Sequence, residues 1–237
     1  MNILLLNPDD LNPTGTVTLR GPKLEHLNNV LKVIPGKLIN VGLKNSWLDQ
    51  AVVEAINSEF VQLRLLGNQQ PPPPALPCSL ILGLPRPRML QRSLQTIATM
   101  GVEKLLLIAS ERVEKSFWQT PLLKPAAIQE QLEIGLEQAK ATQVPGVILC
   151  PNWREFAHTL LPALSSQCLN KIIAHPGDAP RATGLADGQS LVAVGPEGGF
   201  VDSEVALFKE LGFSQVQLGA RILRVETAIP VLLAKLF

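Results

Sequence analysis

Tyrosine is missing from these 237 residues and aromatic side chains make up only 4% of them. An extended platform for stacking unpaired bases is thereby excluded, and Phe117, Trp118 and Phe200 are the candidates left for such a role. Cysteine is scarce too. Cys78, Cys150 and Cys168 are odd in number and widely spaced, which excludes a full disulfide framework and the paired spacing of a zinc site and predicts reduced, mostly buried thiols. The three histidines make no ligating pattern, so no metal is expected. No apolar run approaches the length of a membrane span, and MNILLLNPDD at the start has neither a basic opening nor a long apolar stretch, so a cytoplasmic location is expected. An excess of either charge is also absent. With 21 Lys and Arg against 20 Asp and Glu the net charge is +1, so any grip on phosphate has to come from a local patch. Finally, the chain has no GxGxxG fingerprint and no phosphate loop ending in Lys-Ser/Thr, which argues against a polyphosphate ligand.

What is present is a globular composition, 46% hydrophobic and 17% charged, in a chain long enough for one large domain or two smaller ones. Proline marks one division. Pro71 to Pro74, inside GNQQPPPPALP, fit neither a helix nor a central strand and stiffen the segment, so a linker over residues 71–77 is expected, with a long surface loop as the alternative. Before it, TVTLR, KLINVG, WLDQAVVEAI and FVQLRLL alternate with turns, and Leu24, Leu27, Val30 and Leu31 recur at helical spacing after Pro22. Residues 1–70 therefore read as a small β-barrel with one helix, in which His26 is a surface or packing residue.

Residues 78–237 read as alternating strands and helices. SLILGL, KLLLIAS, VILC, KIIAHP, SLVAVG and QVQLG are the strands. Apolar stripes through Leu90–Ala98, Ile128–Ala139, Trp153–Leu164, Val201–Leu211 and Val225–Phe237 are the helices. Such alternation specifies an α/β fold, a parallel sheet covered by helices, whose ligands bind beyond the carboxyl ends of strands.

Two of those ends are rich in glycine. GPEGGF at Gly195 to Phe200 turns a strand into a helix, and Gly198 and Gly199 let bare backbone approach a ligand. LGARILRVETA at Leu218 to Ala228 repeats the design, with Gly219 at the turn. A proline, a carboxylate and glycines suit a neutral or cationic ligand read through hydrogen bonds. Arg221 and Arg224 can stabilise a developing anion, and Glu226 either holds one arginine or, with Thr227, caps the last helix. Arg86, Arg88 and Arg92 lie near the mouth of SLILGL, where they either contact phosphate or form an ordinary solvated face, and Arg112 is a further candidate.

The two runs together, with SER at Ser110 to Arg112, AHP at Ala174 to Pro176 and EHLNNVLKVIPGKLI near the start, resemble the RsmE family of SPOUT methyltransferases. The resemblance spans nearly the whole chain. It implies a PUA-like RNA-binding barrel followed by a SPOUT domain with a trefoil knot, a homodimer, S-adenosyl-L-methionine as cofactor, and methylation of uridine N3 in 16S ribosomal RNA of the small subunit. Ala174, His175, Gly195, Pro196, Glu197, Gly198, Gly199, Leu218, Gly219, Ile222, Leu223, Arg224 and Thr227 would then enclose the cofactor. Arg221, Arg224 and Glu226 would serve catalysis, and Lys32, Arg86, Arg88, Arg92 and Arg112 would meet RNA. Lys32 stands where relatives usually have arginine, and Ala139 to Ala141 where they usually show cysteine and arginine. The competing readings are a SPOUT methyltransferase acting on another base or a ribose 2′-hydroxyl, and a non-catalytic RNA-binding protein that keeps the knot.

Overall fold

The computed structural model describes residues 2–13 and 15–237, which form two compact units: residues 2–13 and 15–74 with 136–144, and residues 75–135 with 145–237. The first unit holds β1 (Leu4–Leu6), β2 (Thr16–Leu19), α1 (Pro22–Glu25, continuing as a π-helical turn over His26–Val30), β3 (Leu38–Leu43), β4 (Leu48–Ile56) and β5 (Val61–Leu65). Its sheet runs β1-β3-β4-β5-β2, with β1 parallel to β3 and the remaining pairs antiparallel. The sheet curls into a half-barrel, as the expected N-terminal barrel requires, and the Leu11↔Val17 bridge and the Asn12 N–H bond to Thr16 O at 2.8 Å tie the segment after β1 to β2. Alternation along β4 and β5 turns Ala51, Val53, Val61 and Leu63 inward against Leu4, Leu6, Leu24 and Leu27, all buried. The side chain of Val30, expected on the apolar face of α1, lies outside the described residues.

The proline run carries no regular structure, but its ends are drawn in. Gln70 exchanges two backbone hydrogen bonds with Leu48 at 2.8 Å, and the next strand begins at Leu76, with Pro77 tolerated because the register slips between Leu76 and Ser79. Residues 136–144 join the first unit. Asn2 and Ile3 donate to the Glu137 carbonyl, and the Thr142 hydroxyl donates to Ser46 O at 2.7 Å.

The second unit contains β6 (Leu76–Gly83), α2 (Pro87–Thr99), β7 (Val102–Ile108), most of α3 (Pro125–Ala139), β8 (Gly146–Cys150), α4 (Trp153–Glu155), a π turn (Phe156–Leu160) and α5 (Leu161–Ser165). It then adds β9 (Asn170–Ala174), β10 (Ser190–Val194), α6 (Asp202–Glu210), β11 (Ser214–Val216) and α7 (Val225–Leu236). All six strands are parallel in the order β11-β9-β10-β6-β7-β8. Both faces are apolar, as the uninterrupted runs predict. Ile81, Leu106, Ile173, Leu191 and Ala193 pack with Phe156, Leu161 and Phe208 of the helices on one side. Leu80, Leu82, Leu105 and Val192 are equally buried on the other, where α2 meets α7. On that side α2 also lies tightly on α3, because a Cβ at Gly135 would collide with the Gln95 carbonyl.

Candidate active site

The parallel ladder sets Ala174, Val194 and Val216 in one row, so the segments after β9, β10 and β11 leave the same edge of the sheet side by side. These are the three strand ends that the sequence singled out. Beside them ends β6, whose Gly83 faces the turn after β10 so closely that a Cβ there would run into Pro196.

The first turn is made almost entirely of backbone. Gly199 N–H donates to Pro196 O at 2.7 Å, and Gly199 takes φ +72°, a conformation that glycine adopts without penalty. A side chain at Gly195 would meet Phe200 N at 2.9 Å and Gly199 C at 3.0 Å, so alanine does not fit there. Phe200, expected as a stacking candidate, is instead 1% exposed. Its ring lies 5.2 Å from Phe208, which in turn meets Phe213 edge-on at 4.9 Å, so this residue anchors the turn in the core and offers no ring to a base. Phe117 and Trp118 are half-buried.

Outside bonds also fasten this turn. The Glu197 carboxylate accepts from Arg86 N–H at 3.0 Å, at the start of α2. Arg112 Nη1 donates to Gly198 O at 2.5 Å. One step further on, the buried Glu204 carboxylate accepts from Val201 N–H at 3.0 Å and from Glu111 N–H at 2.8 Å.

The second turn carries charge. Gly219 has φ +128° and its N–H is held by the Gln217 side chain at 2.9 Å, while Ala220, Arg221, Ile222 and Arg224 stand exposed, Ile222 at 86%. Arg221, Arg224 and Glu226 make no side-chain hydrogen bond or ion pair among the described residues. Arg224 is the N-cap of α7 and its carbonyl accepts from Thr227 and Ala228 N–H at 2.9 and 2.7 Å. The expected cap by Glu226 and Thr227 is not formed, because both lie past the cap position inside the helix. Glu226 instead puts its charge in the first turn, where the helix dipole favours an anion.

The third wall is His175. Its N–H donates to Val216 O at 3.1 Å and its carbonyl accepts from the Gln215 amide at 3.3 Å, while Nδ1 is buried without a partner. Burial holds the imidazole below its ordinary value of 6.5, and Asp202 opposes that shift. A cleft of about 340 Å³ lined by His175, Pro176, Asp202, Lys209 and Gln215 adjoins it.

The remaining expected contacts are more dispersed. Arg88 and Arg92 are exposed one turn apart on α2, and Arg86 is its N-cap. Lys32 belongs to the first unit, where it is exposed with φ +46°. Burial pushes the Cys78 thiol up to about 12 and raises Cys150 and Cys168 as well, in keeping with inert thiols. Two participants were not foreseen: Gly83, and Glu204. The spacing of Glu204 after Val201 gives only its local bond, since the bond to Glu111 spans the fold.

A glycine cradle, an unpartnered imidazole nitrogen and a turn with two free guanidinium groups fit a small polar ligand with hydrogen-bonding edges.

Known proteins share this plan. A family model described as an RNA methyltransferase domain matches residues 72–236. A ribosomal RNA small subunit methyltransferase E from Treponema pallidum (strain Nichols) is 27% identical over 232 residues, covering 96% of this chain and 87% of its own. One from a Synechocystis strain is 27% identical over 231 residues, covering 94% and 73%. Among solved structures, ribosomal RNA small subunit methyltransferase E from Neisseria gonorrhoeae, bound to S-adenosyl methionine, superposes with a TM-score of 0.76 at 27% identity, over 99% of this chain and 94% of that one. A Legionella pneumophila methyltransferase, at 21% identity and TM-score 0.75, has the same fold.

Proposed function

Because the chain belongs to the RsmE family of RNA methyltransferases and uses S-adenosyl-L-methionine, we propose that it methylates N3 of a uridine in 16S ribosomal RNA of the small subunit. The observation that carries this reading is the row formed by Ala174, Val194 and Val216, which delivers the glycine turn, the arginine turn and His175 to one place. When bound, the cofactor supplies an electrophilic methyl on a sulfonium, so the protein has only to hold it, align the base and make that base nucleophilic.

The bare peptides of Gly195 to Gly199 take the donor, with Leu218, Gly219 and the backbone of Ile222 to Arg224 across from them and Ala174 and His175 alongside. Pro196, Glu197 and Thr227 complete the enclosure. Burial favours the neutral imidazole of His175, whose Nδ1 makes no bond among the described residues and forms part of this enclosure.

Uracil N3 carries a proton at neutral pH, and its loss leaves an imide anion spread over O2 and O4. Arg221 and Arg224, without a side-chain partner among the described residues, stabilise that anion, and Glu226 supports the turn that carries them through its place in the first turn of α7. Arg86, Arg88 and Arg92 on the second unit and Lys32 on the first contact phosphate. In the same reading the first unit is a PUA-like RNA-binding region, the proline run Pro71 to Pro74 a linker, and the second unit a knotted domain that dimerises with a second copy. No helix among the described residues is long and apolar enough to cross a membrane; in this reading the protein works on ribosomal subunits in the cytoplasm.

Tritium transfer from labelled donor to small ribosomal subunits, followed by mass-spectrometric mapping, tests the proposal. Label on N3 of one 16S uridine is expected. Label on a ribose hydroxyl or on transfer RNA only would overturn the assignment.

A further inference from the structure

Ser110 to Arg112, the segment that follows β7, was singled out by sequence as a possible RNA contact through Arg112, yet its bonds run to the glycine turn. We propose that Arg112 and Glu204 are positioning residues for methyl transfer, which lock the Gly198–Gly199 peptide in its donor-binding orientation, and that Arg112 serves this turn and not RNA. The inference rests on the donor site described above.

A peptide between two glycines flips at little cost, since neither flanking residue has a Cβ to oppose the rotation. Here both ends of that one peptide plane are pinned. Its N–H donates to Pro196 O at 2.7 Å, and its carbonyl accepts from Arg112 Nη1 at 2.5 Å. The bond is charge-assisted, a class roughly twice as strong as a neutral one. The arginine stem lies along the same peptide: a Cβ at Gly198 would be 3.1 Å from Arg112 Cδ and 3.2 Å from its Cβ. Stem and head together therefore hold Gly198 from one side.

The neighbouring residue supplies the second fastening. Glu204, 3% exposed, takes Glu111 N–H on Oε1 at 2.8 Å and Val201 N–H on Oε2 at 3.0 Å. No cation pairs with it among the described residues. A carboxylate at that depth is a costly way to fill space. What it does that an aliphatic side chain would not is join the backbone of the Ser110–Arg112 segment to the start of α6, directly after the turn. Arg112 can then reach Gly198 only from where Glu204 holds its neighbour.

The test compares R112A, R112K and E204Q with the unaltered chain, using calorimetric binding of S-adenosylmethionine, filter binding of 16S RNA and turnover as a function of donor concentration, with melting curves as a control for folding. R112A should raise the Kd and the KM for donor about tenfold, as expected for loss of a hydrogen bond to a charged group. Its kcat at saturating donor should stay within about threefold and its RNA affinity within about twofold on the same grounds. R112K keeps a cationic donor on an aliphatic stem and should recover most of the donor affinity. E204Q keeps the shape but turns an amide N–H₂ toward one of two N–H groups, so it should shift donor KM in the same direction. Unchanged donor affinity in R112A, or a loss of RNA affinity in its place, overturns the proposal. An unaltered chain that binds no S-adenosylmethionine overturns the donor site itself, a result separable from the first.

Discussion

Between Gly195 and Phe200 the backbone is tied by Glu197 to Arg86 and by Arg112 to Gly198, and it is anchored by a buried ring. Between Gly219 and Arg224 one side-chain bond, from Gln217, holds four exposed residues. Both turns follow neighbouring parts of one parallel sheet, yet the first is rigid and nearly without side chains while the second is open and cationic. Holding a donor and stabilising an anion make different demands. The first gains from peptides fixed in advance, because affinity is lost to whatever must be ordered on binding. The second needs guanidinium groups whose donors no protein acceptor has taken.

The contrast is broken most severely by removing the cations. R221A and R224A should each lower methyl transfer by about a hundredfold or more, the usual effect of deleting a group that stabilises developing charge. Donor affinity should stay within about threefold, since the first turn is untouched, and calorimetry beside tritium transfer separates the two effects. An intermediate effect is expected from Gly195→Ala, whose methyl would have to displace Phe200 N and Gly199 C. Overpacking of this kind costs about 1–3 kcal/mol, so donor Kd should rise about tenfold and the melting point should fall.

A smaller effect should follow pH. In the unfolded chain His175 titrates near its ordinary 6.5, whereas in the folded one burial delays protonation to lower pH. Below 6.5 the unfolded state thus holds more protons, so the contribution of His175 to stability is complete above that value and declines as pH falls through the window beneath it. Melting curves from pH 7.5 to 5 should show a slope that His175→Gln reduces. The smallest effect belongs to Ile222→Ser. At 86% exposure the residue packs against little, so stability should change by less than about 0.5 kcal/mol.

Much of this architecture could be read from residue order. KLLLIAS and SLVAVG are apolar without alternation because both faces of the central strands are covered, and their alternation with helical stretches specifies a parallel sheet. The strand ends follow from where those runs stop, but the strand order that brings Ala174, Val194 and Val216 into one row joins elements distant along the chain and is not written in any local pattern. The three-residue β1 was not legible either, because Leu4 to Leu6 are all buried and show no alternation. Residues 136–144 looked like the end of a helix and its loop, and nothing local says that Thr142 and Glu137 bond to the first unit. Side-chain partners were the least legible. Phe200, a stacking candidate by sequence, turns inward to Phe208, and the exposed Glu197 carboxylate is fastened to Arg86 N–H, because a turn so poor in side chains uses the few it has to anchor itself.

The central claim is that these two unlike turns enclose one methyl donor. A crystal structure of the chain soaked with S-adenosylmethionine measures this directly. The account predicts density between Gly195–Gly199 and Leu218–Arg224, with the Gly198 carbonyl still on Arg112. Density at any other place on the chain, or a Gly198–Gly199 peptide turned away from Arg112 in the bound state, would contradict it.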